Sequence, residues 1–142
     1  MIEAAIVEVG EAGSLDVTVS QIARRAGMSS ALAHHYFGSK EQLFLAVMRH
    51  VLTLFGDSVR RRTATAANPR ARIDAIIDAS FAPDQFDRDV VAAWLNFYVW
   101  ALQSADTSRL LQVYARRLHS NLLFNLRQLV DAPSASAIAQ GL

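Results

Sequence analysis

Ser29, Ser30, His34 and His35 lie close together in the chain. Each offers a donor or acceptor that suits a base edge or a phosphate oxygen. Between Thr18 and Lys40 the charged residues are Arg24, Arg25 and Lys40, with no acid among them. That local sign attracts a phosphate backbone, although the formal net charge of the whole chain is only +1 and gives no global basic signature. The chemistry implied is non-covalent contact with duplex nucleic acid.

Such contact needs an element that presents the donors, and the stretch TVSQIARRAGMSSALAHHYFGSK supplies the signals for one. Thr18 is placed to cap a short helix over about 19–26, and Ser29 to cap another running to about Phe37. Gly27 and Met28 form the turn, where glycine accepts a positive φ without a Cβ clash. Ala23 is small enough for two helices to cross closely, and Val19, Ile22, Ala26, Met28 and Phe37 are apolar packing residues. A tight two-helix unit of this kind lays its second helix in a major groove. Capped N-termini at Thr18 and Ser29 also point N–H groups and a positive dipole end outward, which suits phosphate. The alternative is a helical hairpin in an ordinary bundle, with serines that only cap and arginines that are only solvated.

A second constellation is aromatic. Trp94, Phe97 and Tyr98 share a helix face at i, i+3 and i+4, Trp100 points elsewhere, and Tyr114 follows on the next helix. Aromatic faces attract quaternary ammonium groups, each contact contributing about 0.5–2 kcal/mol. Asp84, Asp87 and Asp89 are nearby acids able to supply countercharge. The same spacing is also that of a core stripe, and both readings stay open.

Other residues are less informative. His34 and His35 are adjacent, so they point about 100° apart and do not form an i, i+4 metal pair. His50 and His119 stand alone on helices, and no metal or other cofactor is expected. Arg60, Arg61 and Arg62 end a long helix, where cations suit the dipole, and Arg116–Arg117 form a solvated or interface face. The acids are scattered and no spacing marks a nucleophile with its base, so no catalytic residue is expected and the chain is read as a non-enzyme.

The positioning elements are all helical. The chain of 142 residues is 52% hydrophobic and 19% charged, enough to bury a core and too weakly charged for disorder. It has no cysteine, which excludes disulfides and thiolate sites and fits the cytoplasm. No run approaches the roughly 18 apolar residues of a membrane span, and Met1-Ile2-Glu3 lacks the basic start of a secretory signal. The pattern predicts helices at about 2–12, 19–26, 29–37, 39–63, 70–80, 87–103 and 107–130. A further helix opens after Pro133 over 134–142. Residues 1–45 are expected to form the helix-turn-helix domain and 46–142 a helical ligand-sensing domain.

Thr18–Lys40, with Leu43 beyond, resembles the TetR family of repressors: a TVSQIARRAG-like helix, a short recognition helix, then YF-x-x-K-x-x-L. The stretches AWLNFY and RLLQVYARRLHSNL are similar to its BetI-type branch, whose members repress choline-to-betaine genes. The resemblance implies that Ser29, Ser30, Ala31, His34 and His35 face the groove, and that Thr18, Tyr36 and Lys40 hold phosphates. It implies choline or betaine aldehyde as ligand at Trp94, Phe97, Tyr98 and Tyr114, and a homodimer on a palindromic operator. The alternatives are another small hydrophobic or cationic effector, or a ligand-binding bundle without a DNA role. Two departures stand out: Ala31 replaces a frequent glycine and His34 a frequent tyrosine. Family members dimerise through two helices expected after Val130. The chain stops at Leu142 within the first, so an incomplete C-terminal domain with exposed apolar faces on 118–129 is expected.

Overall fold

The computed structural model describes residues 1–141, the side chain of Asp84 excepted. Among the described residues the chain is all α, with no strand. Its helices are α1 (Ile2–Ala12), α2 (Val19–Arg25), α3 (Ser30–Phe37), α4 (Lys40–Ala64), α5 (Pro69–Ser80), α6 (Arg88–Ala101), α7 (Ala105–Leu126) and α8 (Ala132–Gly141), with a 3-10 turn at Pro83–Phe86 before α6. The chain forms two compact units. One comprises Met1–Leu52 with Pro83–Ser108, the other Thr53–Ala82 with Arg109–Leu142.

In the first unit, α1 packs on α2 and on α6. Each of these helices turns a narrow apolar stripe inward. Ala5 and Val9 are buried on α1, and Ala93 and Phe97 on α6, both pairs at i, i+4 spacing. Gly10 marks the closest approach. A Cβ built there would lie 2.6 Å from Cβ of Asp89, so a side chain at residue 10 has no room while α6 starts where it does. Asn96 Nδ2 donates to the carbonyl of Gly13 at 3.4 Å, a second tie between α6 and the end of α1. The first half of α4 contributes Leu43, Phe44, Val47, Met48 and Leu52, all buried at helical spacing.

The second unit is built on Val59, Ile73, Ile76, Ala79, Leu122, Leu126, Ala135 and Ala139, with Phe55, Leu118 and Leu123 packed against them. Burying each large aliphatic side chain stabilises by about 1.5–3 kcal/mol. His119, expected to stand alone, ties α7 to α8: its Nδ1 lies 3.2 Å from the carbonyl of Ala139 and donates to it.

The structure corrects several expectations here. The apolar residues of 118–129 mostly enter this core, leaving Phe124 and Leu129 as the exposed ones. α7 ends at Leu126 and not near Val130, where the N–H groups of Gln128 and Leu129 tighten into i→i−3 bonds onto the carbonyls of Asn125 and Leu126. Pro133 does not precede the last helix but sits in its first turn, where a missing N–H has no consequence. The cap is Asp131, whose Oδ2 accepts from Ser134 N–H at 3.3 Å. Leu142, the last residue of the expected helix, lies outside the described residues.

The side chain and N–H of Ser134 hold the Asp131 carboxyl below its ordinary value of 3.8. A carboxylate lowered on folding contributes stability that is fully present above its unfolded pKa and is lost as pH falls through the lowered folded value. Denaturant midpoints measured at pH 5 and pH 3 are therefore expected to drop further for the wild type than for Asp131→Asn, which keeps a capping oxygen. Equal drops would show that this cap does not titrate with folding.

Candidate nucleic-acid interface

The turn between α2 and α3 is closed by the backbone. Gly27 adopts φ +67°, its N–H bonds the carbonyl of Arg24 at 3.1 Å, and Met28 N–H bonds that of Ala23 at 2.9 Å. This pair of reverse bonds is the Schellman arrangement, which needs a left-handed residue at the position Gly27 fills. Ile22 and Ala23 are fully buried beneath it. α2 begins with a reciprocal capping box. Thr18 Oγ1 accepts from Gln21 N–H at 3.1 Å, and Gln21 Oε1 accepts from Thr18 N–H at 2.7 Å.

α3 commits little of itself to the interior. Of its residues only Ala33 is buried, while Ala31, Leu32, His34, His35 and Tyr36 are exposed and Ser30 and Phe37 half-buried. Ser29, also exposed, caps the helix by accepting from Leu32 N–H at 3.2 Å. Ser30 Oγ donates to Ser20 Oγ at 3.1 Å, which ties the start of α3 to α2. The rings of His35 and Tyr36 meet edge to face at 5.5 Å, with Tyr36 68% exposed. Thr18, Ser29, Ser30, Ala31, His34, His35 and Tyr36 are thus all at least partly accessible. Leu32 is the residue that sequence reasoning missed. Ala33 and Phe37 at i, i+4 mark the inward seam, and Leu32 falls off it, an apolar side chain left 43% exposed beside the expected contact residues.

One charge is corrected. Arg25 faces α1, where its Nε donates to Glu8 at 2.6 Å and its Nη2 to Glu11. The bond to Glu8 leads the causes that raise its pKa further. Arg25 therefore fastens α2 to α1, and the attraction for phosphate falls to Arg24 and Lys40. Lys40 opens α4, capped by Ser39, whose Oγ accepts from Gln42 N–H at 3.3 Å. Its ammonium lies 5.7 Å from the centre of the Phe44 ring. The neighbouring Glu41 carboxyl is held below the usual range, first by its hydrogen bond from Ser39 and then by its own N–H.

The four aromatic candidates occupy different settings. Phe97 is 1% exposed and belongs to the core of the first unit. Trp94 and Tyr98 stack on each other with centroids 6.0 Å apart. Tyr114 lies in the second unit, and its ring carries the Arg117 guanidinium at 5.6 Å. Of the acids, Asp87 caps α6 by accepting from Asp89 N–H at 3.0 Å, and Asp89 sits against Gly10. The Asp84 side chain lies outside the described residues. Trp100 meets Phe44 edge to face at 6.1 Å. Both line an open groove of about 490 Å³ in the first unit, together with Asp16, Lys40, Glu41 and Asn96. Among the described residues no group of three or more His, Cys, Asp or Glu is placed to hold a metal ion. No helix among them is long and apolar enough to cross a membrane.

A capped, exposed short helix behind a left-handed glycine turn defines a helix-turn-helix DNA-binding protein. Residues 1–47 match the model of the tetR family of bacterial regulatory proteins, and residues 69–142 that of the BetI-type transcriptional repressor C-terminal domain. The HTH-type transcriptional regulator BetI of Brucella anthropi is 55% identical over 99% of this chain and 73% of its own length. The regulator of the same name from Rhizobium meliloti is 51% identical over 99% of this chain and 70% of its own. Among solved structures, a transcriptional regulator from Pseudomonas aeruginosa PAO1 superposes with a TM-score of 0.85 at 24% identity, covering 99% of this chain and 70% of that one. One from Saccharomonospora viridis, solved in complex with choline, gives 0.83 at 20% identity, covering 98% and 75%. The chain belongs to the TetR family, in its BetI-type branch, and is a DNA-binding transcriptional repressor and not an enzyme.

The backbone at residue 27 allows a direct test. Gly27→Ala places a Cβ in the left-handed region at a cost of about 1–2 kcal/mol. No neighbouring atom lies within 4 Å of that Cβ, so the cost is conformational and not steric. Denaturation should show a loss of that size, whereas an unchanged midpoint would mean that the turn does not need its glycine.

Proposed function

We propose that the chain, as one half of a homodimer in the cytoplasm, lays α3 in the major groove of a palindromic operator and releases it when a small quaternary ammonium ligand such as choline binds. The observation that carries this is the exposure of α3, with Ala33 as its one buried residue. Ser29, Ser30, Ala31, His34 and His35 would face base edges, while Thr18, Tyr36 and Lys40 would grip phosphates on either side. Two such helices in a dimer meet successive major grooves when they stand about 34–36 Å apart.

Choline is supported by the name BetI on relatives of more than half identity and by the choline complex of the Saccharomonospora viridis protein. Of the aromatic residues expected for that ligand, Trp94 and Tyr98 are the accessible pair of the first unit and are the ones proposed to meet it. The Trp94–Tyr98 stack turns two ring faces toward each other. This favours, as a second reading, a different small hydrophobic or cationic effector.

Lys40→Ala should weaken binding to all DNA sequences alike. It should also reduce the slope of log K against log salt by about 0.9 for each protomer. A gel-shift series over salt checks this, and an unchanged slope would remove Lys40 from the phosphate contacts. For the ligand, calorimetry on the folded protein with millimolar choline is expected to show binding that Trp94→Ala weakens. Choline should lower operator affinity about 5–150-fold, the usual range of such coupling. No heat at millimolar choline would leave the other effector class as the answer.

A further inference from the structure

His34 is held at both ends of a small ring of hydrogen bonds. Its backbone carbonyl accepts from Gly38 N–H at 2.9 Å, and its ring Nδ1 lies 3.1 Å from the carbonyl of Gly38. A carbonyl oxygen only accepts, so Nδ1 must carry the proton and donate. In the neutral ring that leaves Nε2 as a bare acceptor. The arrangement depends on Gly38 at φ +70°, ψ −119°, a conformation that side chains rarely adopt and one that returns its carbonyl toward α3. His34 itself is exposed, and no hydrogen bond to Nε2 occurs among the described residues.

We infer that His34 is a specificity residue with a fixed polarity: its Nε2 accepts a hydrogen bond from the exocyclic amino group of adenine or cytosine in the major groove. The base edges make this a real discrimination. Adenine N6 and cytosine N4 are the amino donors displayed there, whereas guanine and thymine present acceptors, which a bare ring nitrogen cannot bond. On the strand that His34 meets, one position of each half-site should therefore be adenine or cytosine. A tyrosine hydroxyl at this place would donate or accept by rotating. The clamped imidazole has no such freedom, so replacing tyrosine by histidine narrows the choice.

This selectivity presupposes the seat of α3 in the groove proposed above, and two measurements keep the claims apart. Nitrogen-15 correlation spectra of the free protein at pH 8 should show His34 protonated at Nδ1 and bare at Nε2. The opposite tautomer would overturn the inference without involving DNA. Selection from a randomised duplex pool should enrich a symmetric motif containing an adenine-or-cytosine position, preferred by about two- to tenfold, the worth of one hydrogen bond. That preference should vanish in His34→Ala and turn toward guanine or thymine in His34→Lys, which only donates. A motif that is enriched but has no position sensitive to residue 34 would overturn this inference alone. Failure of the wild type and both variants to enrich any motif would instead overturn the DNA-reading function on which it rests.

Discussion

The left-handed turn at Gly27 is the constraint on which the rest depends. Two backbone bonds, from Gly27 to Arg24 and from Met28 to Ala23, reverse the chain within a few residues and set the angle at which α3 leaves α2. Ala23, in α2, lends its carbonyl to that turn and is fully buried, so the crossing admits no larger side chain without pushing the helices apart. Position and direction of α3 are therefore settled by backbone geometry before any of its own side chains contribute.

This explains how α3 remains so exposed. A helix of eight residues that buries only Ala33 is too short and too poorly packed to be stable by itself. Its order is borrowed. Ser29 caps it, the Ser30–Ser20 bond ties its start to α2, and the Gly38 hairpin with His34 holds its end. α2 in turn is fixed to α1 through Arg25 and the two glutamates. The buried apolar side chains of this unit lie mainly on α1, α2, α4 and α6, and the surface left free is the one that carries the donors and acceptors.

Much of this was legible in the residues. Thr18 and Ser29 are caps in the structure as their types and spacing indicated, and Gly27 occupies the turn. All those signals are local, each acting within about four residues of chain. What was not legible is long-range. Arg25 reads as a free cation until α1 brings two carboxylates to it, and nothing in the local pattern marks Leu32 as exposed until the inward seam proves to be Ala33 and Phe37. Phe97 and Trp100 differ by only three positions in an aromatic run. One is core and the other lines a groove against Phe44, a distinction that depends on which neighbours the fold supplies.

The grouping of α6 with the DNA-reading helices has a mechanical consequence. α6 rests on α1 at Gly10, where no spare volume exists, and its Trp100 meets Phe44, the residue beneath the Lys40 ammonium. Asp89 occupies the space that a Cβ at residue 10 would take, so the two helix backbones meet there without an intervening side chain on α1. α1 in turn carries the Glu8 and Glu11 carboxylates that hold Arg25 and α2. α6, α1 and α2 are thus joined in series, by close packing at Gly10 and by the Arg25 ion pairs, and α3 is seated on the last of them.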